Sequence, residues 1–286
     1  MEDAKILKLE EFQLKYSNPS YVFMGNSTTL IGLNPSIFDS SSDLNFRPSF
    51  NAAMNGSEIK QIRDFACGYI LKEIKPKNLV ILFSNVGMAL DTKYVKQVTS
   101  SSPLERYSYI YRYRNTFRDP MTINTFVRVI KYRDTRQGIV YRWADNLDDF
   151  GYTKYGTTNF AIMTPGWDPR RLVNLQGSRS PQIDLRNVRY LEEIRDLTLA
   201  NGGSLTIGTV PTLTFDPIYR TTIEAIAKHL NVGFVQGNDA LGEGKFFQDE
   251  VHLNHMGATS FSKFLSAELS KYHSKSQRLV EPSPSP

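Results

Sequence analysis

Short apolar runs alternate with longer amphipathic ones along most of this chain. Tyr21-Val22-Phe23-Met24 is apolar at every position and stops at Gly25, the pattern of a strand buried on both faces. Downstream, Ile59, Ile62, Phe65, Ala66, Tyr69 and Ile70 recur at helical spacing and predict a helix over 59–74, closed by Glu73, Lys75 and Pro76. Asn78-Leu79-Val80-Ile81-Leu82-Phe83 is again largely apolar and of strand length, and it ends at Ser84-Asn85. Strand, helix and strand in that order make a βαβ unit, so the two strands are expected to be parallel.

The second half repeats the rhythm. Arg186 to Ala200 reads as a helix broken by Gly202-Gly203, and Ser204 to Val210 as a strand before Pro211. Pro217 stands at the favoured first-turn position of a helix running to Leu230. Val232 to Val235 is a short buried strand, and Gly257 to Tyr272 a final helix with Phe261, Phe264, Leu265 and Leu269 on one face. The fold class this predicts is α/β: a three-layer α/β/α sandwich around a mostly parallel, flavodoxin-like sheet, in a single domain over 17–273. The rhythm fails over 92–180, which is rich in Tyr, Arg and Asn and reads as an insertion or lid of that domain. Residues 274–286 end in a Pro/Ser-rich run and read as a disordered tail.

Charge sharpens the picture more than composition does. The net charge is +5, yet nine basic residues face three acidic ones between Leu104 and Trp143, so this stretch alone exceeds the charge of the whole chain. An anionic polymer or head group would be drawn there; a solvated helical face with its own ion pairs is the plainer reading. The single cysteine, Cys67, excludes an intrachain disulfide and lies in a helical run, where a buried thiol is expected. Four histidines and no cysteine cluster argue against a zinc site. No apolar run is long enough to cross a bilayer, and Met1 to Lys15 is polar with mixed charges, unlike a signal peptide. Both the cytoplasm and the cell envelope stay open as compartments.

Candidate chemistry sits at the two ends of the chain. In an open α/β sheet ligands bind beyond the carboxyl ends of the strands, where Gly25-Asn26-Ser27 and Asn85 are expected. A serine hydroxyl needs a base to become a nucleophile. His252, just before the last helix, can serve, and Asp249 three residues earlier can hold its other nitrogen and stabilise the imidazolium. Acyl transfer also needs donors at the developing oxyanion; the N–H of Ser27, the N–H of Gly56 and the amide of Asn85 are the candidates.

These four blocks resemble those of the SGNH (GDSL-type) hydrolase superfamily: Ser27 in Gly25-Asn26-Ser27, Gly56, Asn85, and His252 with Asp249 in Phe247-Gln248-Asp249-Glu250-Val251-His252-Leu253-Asn254-His255-Met256-Gly257-Ala258. Phe50-Asn51-Ala52-Ala53-Met54-Asn55-Gly56 resembles more closely the branch with DltD-like and alginate-acetylation proteins. The resemblance spans about Tyr21 to Asn85 and Arg186 to Tyr272. Asn26 stands where the commonest motif has Asp, and Phe83 where it has Gly. The resemblance implies the SGNH hydrolase fold and a serine esterase or O-acyltransferase with a Ser-His-Asp triad and no metal or organic cofactor. It also implies an acylated saccharide or cell-envelope polymer as substrate, and envelope acyl-transfer machinery as a partner.

Other readings compete. Ser27 can be a helix cap or turn residue, His255 rivals His252, and Trp143 and Trp167 are expected to pack or to line the cleft. A catalytically silent module of the same fold, binding a glycan or protein through the Arg/Tyr-rich insertion, is the alternative from another class. Nucleic-acid binding lacks any recognised motif here.

Overall fold

The computed structural model describes residues 2–41, 48–84, 147–153, 185–213 and 217–278. Asn85, Trp143, Trp167, nearly all of the middle insertion and the last eight residues lie outside these. The chain divides into two units, Met1–Ala89 with Asn146–Pro286, and Leu90–Asp145; every described residue belongs to the first. Its strands are β1 (Tyr21–Gly25), β2 (Phe50–Asn51), β3 (Asn78–Phe83), β4 (Ser204–Thr209) and β5 (Gly233–Val235). They form one sheet in the order β2-β1-β3-β4-β5, and every pairing is parallel. This flavodoxin-like order and the helices on both faces bear out the expected α/β sandwich.

The helices are α1 (Glu2–Tyr16), α2 (Ser27–Gly32), α3 (Pro35–Ser40), α4 (Ile59–Phe65), α5 (Leu185–Ala200), α6 (Pro217–Leu230) and α7 (His255–Arg278). Strand alternation sorts side chains between the layers. Val22, Met24, Leu79 and Ile81 pack with Leu9 and Phe12 of α1, Phe65 of α4, Ile194 of α5 and Ile223 of α6. Tyr21, Phe23, Val80 and Leu82 point the other way, onto Phe38 of α3 and Phe261, Leu265 and Leu269 of α7. Strand β1 and Leu79–Phe83 of β3 are therefore apolar at every position because both of their faces are covered. Each such large side chain contributes roughly 1.5–3 kcal/mol by leaving water.

Four features depart from the sequence reading. Helix α7 runs to Arg278, so residues 274–278, expected in the disordered tail, are helical. The polar-looking start folds as α1, with Leu9 and Phe12 fully buried, so the core reaches before residue 17. The helix expected over 59–74 changes winding at Ala66, and Ala66–Ile74 is a π-helix that stops at Lys75 in the left-handed region (φ 51°). Ala66, Ile70 and Ile74 recur every four residues, a spacing that the wider i→i+5 winding keeps on the buried face. Finally, β2 is a two-residue strand beside β1, too short to show a period. Among the described residues no helix is long and apolar enough to cross a membrane.

Candidate active site

The strand order reverses between β1 and β3, and the crevice at such a switch point is where open α/β sheets bind ligands. Ser27 stands there. Asn26 caps α2: its Oδ1 accepts from the Thr28 N–H at 3.1 Å and from the Thr28 hydroxyl at 2.6 Å. Its Nδ2 donates to Ser84 Oγ at 2.9 Å, tying the loop after β1 to the loop after β3. A carboxylate here would cap equally well but would have no proton for Ser84. Ser27 is thus the first helical residue and not the cap, which leaves its hydroxyl free for another partner. Gly25 lets α2 turn tightly over the sheet, since a Cβ there would lie 2.2 Å from Thr29 Oγ1 and 2.6 Å from Leu82 O.

The loop before α7 supplies that partner. It is closed by an antiparallel bridge between Phe247 and Leu253, with Gln248 N–H donating to His252 O at 3.0 Å. Leu213 N–H donates to Glu250 O at 2.9 Å, fastening the loop to the segment after β4. Asp249 Oδ1 accepts from the N–H of Val251 at 2.9 Å and of His252 at 2.7 Å, while Oδ2 accepts from His252 Nδ1 at 2.8 Å. With the ring proton held on Nδ1, Nε2 is the acceptor, and it lies 2.9 Å from Ser27 Oγ. Burial pushes the Asp249 carboxyl up, but the Val251 N–H, the His252 ring and the His252 N–H outweigh it and hold the group below its ordinary value.

The structure thus brings Ser27, His252 and Asp249 together in one hydrogen-bonded chain. His255 is not part of it. That residue opens α7, and its Nδ1 is buried with no hydrogen-bond partner among the described residues. Sequence reasoning passed over Asn254, whose Oδ1 accepts from Gly257 N–H at 3.0 Å and whose Nδ2 donates to Lys245 O at 2.7 Å. An Asn just before an amphipathic run is a cap signal that identifies it. By starting α7 at a fixed point, Asn254 also fixes the loop that ends at His252.

Gly56 reaches the same end of the sheet. Beyond β2, Ala52 N–H donates to Phe23 O at 2.8 Å and Met54 N–H to Gly25 O at 3.0 Å, so the chain follows β1 to its end. A turn over Met54–Ser57 comes next, closed by Ser57 N–H on Met54 O at 3.4 Å. Gly56 occupies its third position with φ +68°, a conformation that favours glycine. Asn85, the third donor expected from the sequence, lies outside the described residues.

Chemically, this arrangement can pass a proton from a serine hydroxyl to an imidazole whose far side is held by a carboxylate. No protein-family model matches the sequence, and no curated protein matches it significantly. Solved structures with a similar chain trace include a GDSL-like lipase from Bacteroides thetaiotaomicron, at 13% identity and a TM-score of 0.43 over 96% of this chain and 100% of that one. Protein YxiM from Bacillus subtilis is similar at 12% identity and a TM-score of 0.45, over 90% of this chain and 57% of that one. A member of the lipolytic G-D-S-L family from Veillonella parvula is similar at 13% identity and a TM-score of 0.41, over 86% and 95%.

Proposed function

We propose that this protein cleaves or transfers acyl esters, with Ser27 as nucleophile, His252 as general base and then acid, and Asp249 as the group that orients His252. The observation that carries this reading is the continuous link of 2.9 Å and 2.8 Å from Ser27 Oγ through the His252 ring to Asp249. Ser27 Oγ attacks the ester carbonyl carbon as His252 Nε2 takes its proton. The carbonyl oxygen becomes an oxyanion, received by the N–H groups of Ser27 and Gly56 and by the Asn85 amide. Collapse expels the alcohol, which takes the proton back from His252 and leaves an acyl-Ser27 ester. Water then releases the acid, or a sugar hydroxyl accepts the acyl group, with His252 again removing the proton. These steps call for no metal or organic cofactor.

The substrate class follows from the sequence resemblance: acetyl or similar esters of a saccharide or cell-envelope polymer. The Arg/Tyr-rich segment 92–180 adds positive charge suited to an anionic polymer. A fluorophosphonate probe, mapped by mass spectrometry, tests the reading. An adduct on Ser27 that disappears in His252→Ala is the expected result. Folded wild-type protein that takes no label would overturn it in favour of a catalytically silent binding module.

A further inference from the structure

Asn51 ends β2, is fully buried and touches no reacting atom, yet both ends of its side chain and both of its backbone groups are engaged. Its Nδ2 donates to Thr29 O at 3.0 Å and Leu33 O at 2.8 Å, the carbonyls where α2 stops. Its Oδ1 accepts from the Ala53 N–H at 3.0 Å. Its own N–H donates to Phe150 O at 2.9 Å, and its carbonyl accepts from Lys5 Nζ at 2.6 Å.

Two segments of the proposed site therefore meet on one side chain. Helix α2 has only six residues, too few to hold its own geometry. Asn26 fixes its start and Asn51 its end, so a slide or rotation at the Asn51 end moves Ser27. On the other side, the Ala53 bond fixes the segment that Met54 carries past Gly25 to the Gly56 turn. A buried amide with all its partners satisfied rigidifies and specifies geometry, where an apolar side chain of similar size would only fill space.

We infer that Asn51 is a positioning residue that sets the spacing between the Ser27 and Gly56 N–H groups. The inference rests on the hydrolase reading above, in which those two groups receive the oxyanion.

Asn51→Asp tests it, because the variant is nearly isosteric and changes the donors with pH. As a carboxylate it loses both donations to the α2 carbonyls. As an acid it regains one donation and still accepts from Ala53. Burial and the facing carbonyls raise the carboxyl, so the acid form is reached at moderate pH. With p-nitrophenyl acetate, kcat at pH 8 is expected to fall about 100-fold with KM within about twofold, the pattern of lost transition-state contacts. The ratio of variant to wild-type kcat should rise about tenfold between pH 8 and pH 6 as the acid form returns. Amide hydrogen exchange should accelerate in peptides over 27–33 and 52–57 and not in α5. If Asn51→Asp does not fold, Asn51→Ser keeps one donor and is expected to show the same local exchange. A folded variant with wild-type kcat, with only KM raised, or with exchange accelerated evenly across the domain would overturn the inference. Failure of the hydrolase reading looks different: wild-type turnover would not depend on Ser27. Local acceleration would then still uphold the positioning of these segments, and unchanged exchange would overturn it.

Discussion

Asn26 Nδ2 donates to Ser84 Oγ at 2.9 Å, across the point where the strand order of the sheet reverses. The bond joins the first residue beyond β1 to the first beyond β3, and the neighbouring residue is Ser27. One side chain thus caps the helix that carries the proposed nucleophile and ties together the loops that follow β1 and β3. Removing it and replacing its amide by a carboxylate have separable effects. Asn26→Ala is expected to cost about 1 kcal/mol through the lost cap, more if Ser84 is left without its donor. Asn26→Asp keeps the cap, and its carboxylate can accept from the Ser84 hydroxyl in place of donating to it, so this variant is expected to stay within about 0.5 kcal/mol of wild type. Urea denaturation measures both. Equal stability of Asn26→Ala and wild type would show that the cap does not hold α2.

Gly25→Ala tests how tightly α2 lies on the sheet. The added methyl meets Thr29 Oγ1 and the Leu82 carbonyl, and the second is backbone in a central strand that has nowhere to go. Overpacking of this kind costs about 1–3 kcal/mol. Because the strain is relieved by lifting α2, fluorophosphonate labelling of Ser27 is expected to slow by more than the loss of stability explains. Labelling at the wild-type rate in a destabilised variant would show that α2 keeps its place and that the strain goes elsewhere.

Much of this was legible in the sequence because parallel strands covered on both faces leave unbroken apolar runs, as in Val22–Met24 and Leu79–Phe83. The Ser27 and Asp249/His252 motifs were legible as short words. Their meeting was expected from the pairing of the two motifs and from the family resemblance and not from any local pattern, since 225 residues separate Ser27 from His252 and the strand order brings them to one edge. Helix α1 was hidden because Lys5 stands in its buried stripe between Ala4 and Leu9. The π-winding was hidden because a spacing of four fits it and an α-helix alike. Asn51 was visible as a motif letter, but its partners are mostly backbone carbonyls, which carry no residue identity and leave no trace in a sequence.

Lys5 makes stability depend on pH. Its Nζ donates to Asn51 O and Gly151 O with no exposed surface. A neutral amine has two N–H donors for two carbonyls, whereas the ammonium carries a third proton and a buried charge. Burial lowers its pKa to about 7, with Asp148 opposing in part. The unfolded chain then binds more protons than the folded one between about pH 7 and pH 10, so stability rises with pH across that window. The expected gain from pH 7 to pH 9 is about 2 kcal/mol by urea denaturation. In Lys5→Met the slope should disappear, and a slope unchanged in that variant would assign it to other groups.

Asp249→Asn separates orientation from charge. The amide occupies nearly the same volume and can still accept from the N–H groups of Val251 and His252, so the loop is expected to fold as in wild type. Toward the His252 ring the outcome differs. The retained oxygen serves the backbone, the NH₂ faces Nδ1, and the proton moves to Nε2, where it can no longer be received from Ser27. Loss of the correct tautomer and of the carboxylate lowers kcat about 10⁴-fold in comparable triads, and a similar loss is expected here with only a small loss of thermal stability near neutral pH, where the carboxylate's contribution is forfeited. The charge also has a pH signature. The native carboxyl is held below its ordinary value, so its stabilising contribution is present above the unfolded pKa of about 3.9 and is lost as pH falls through the lower native value. Asp249→Asn should therefore lose less stability than wild type on acidification below pH 4. Full activity in a folded Asp249→Asn would remove Asp249 from the mechanism and leave Ser27 and His252 to act as a pair.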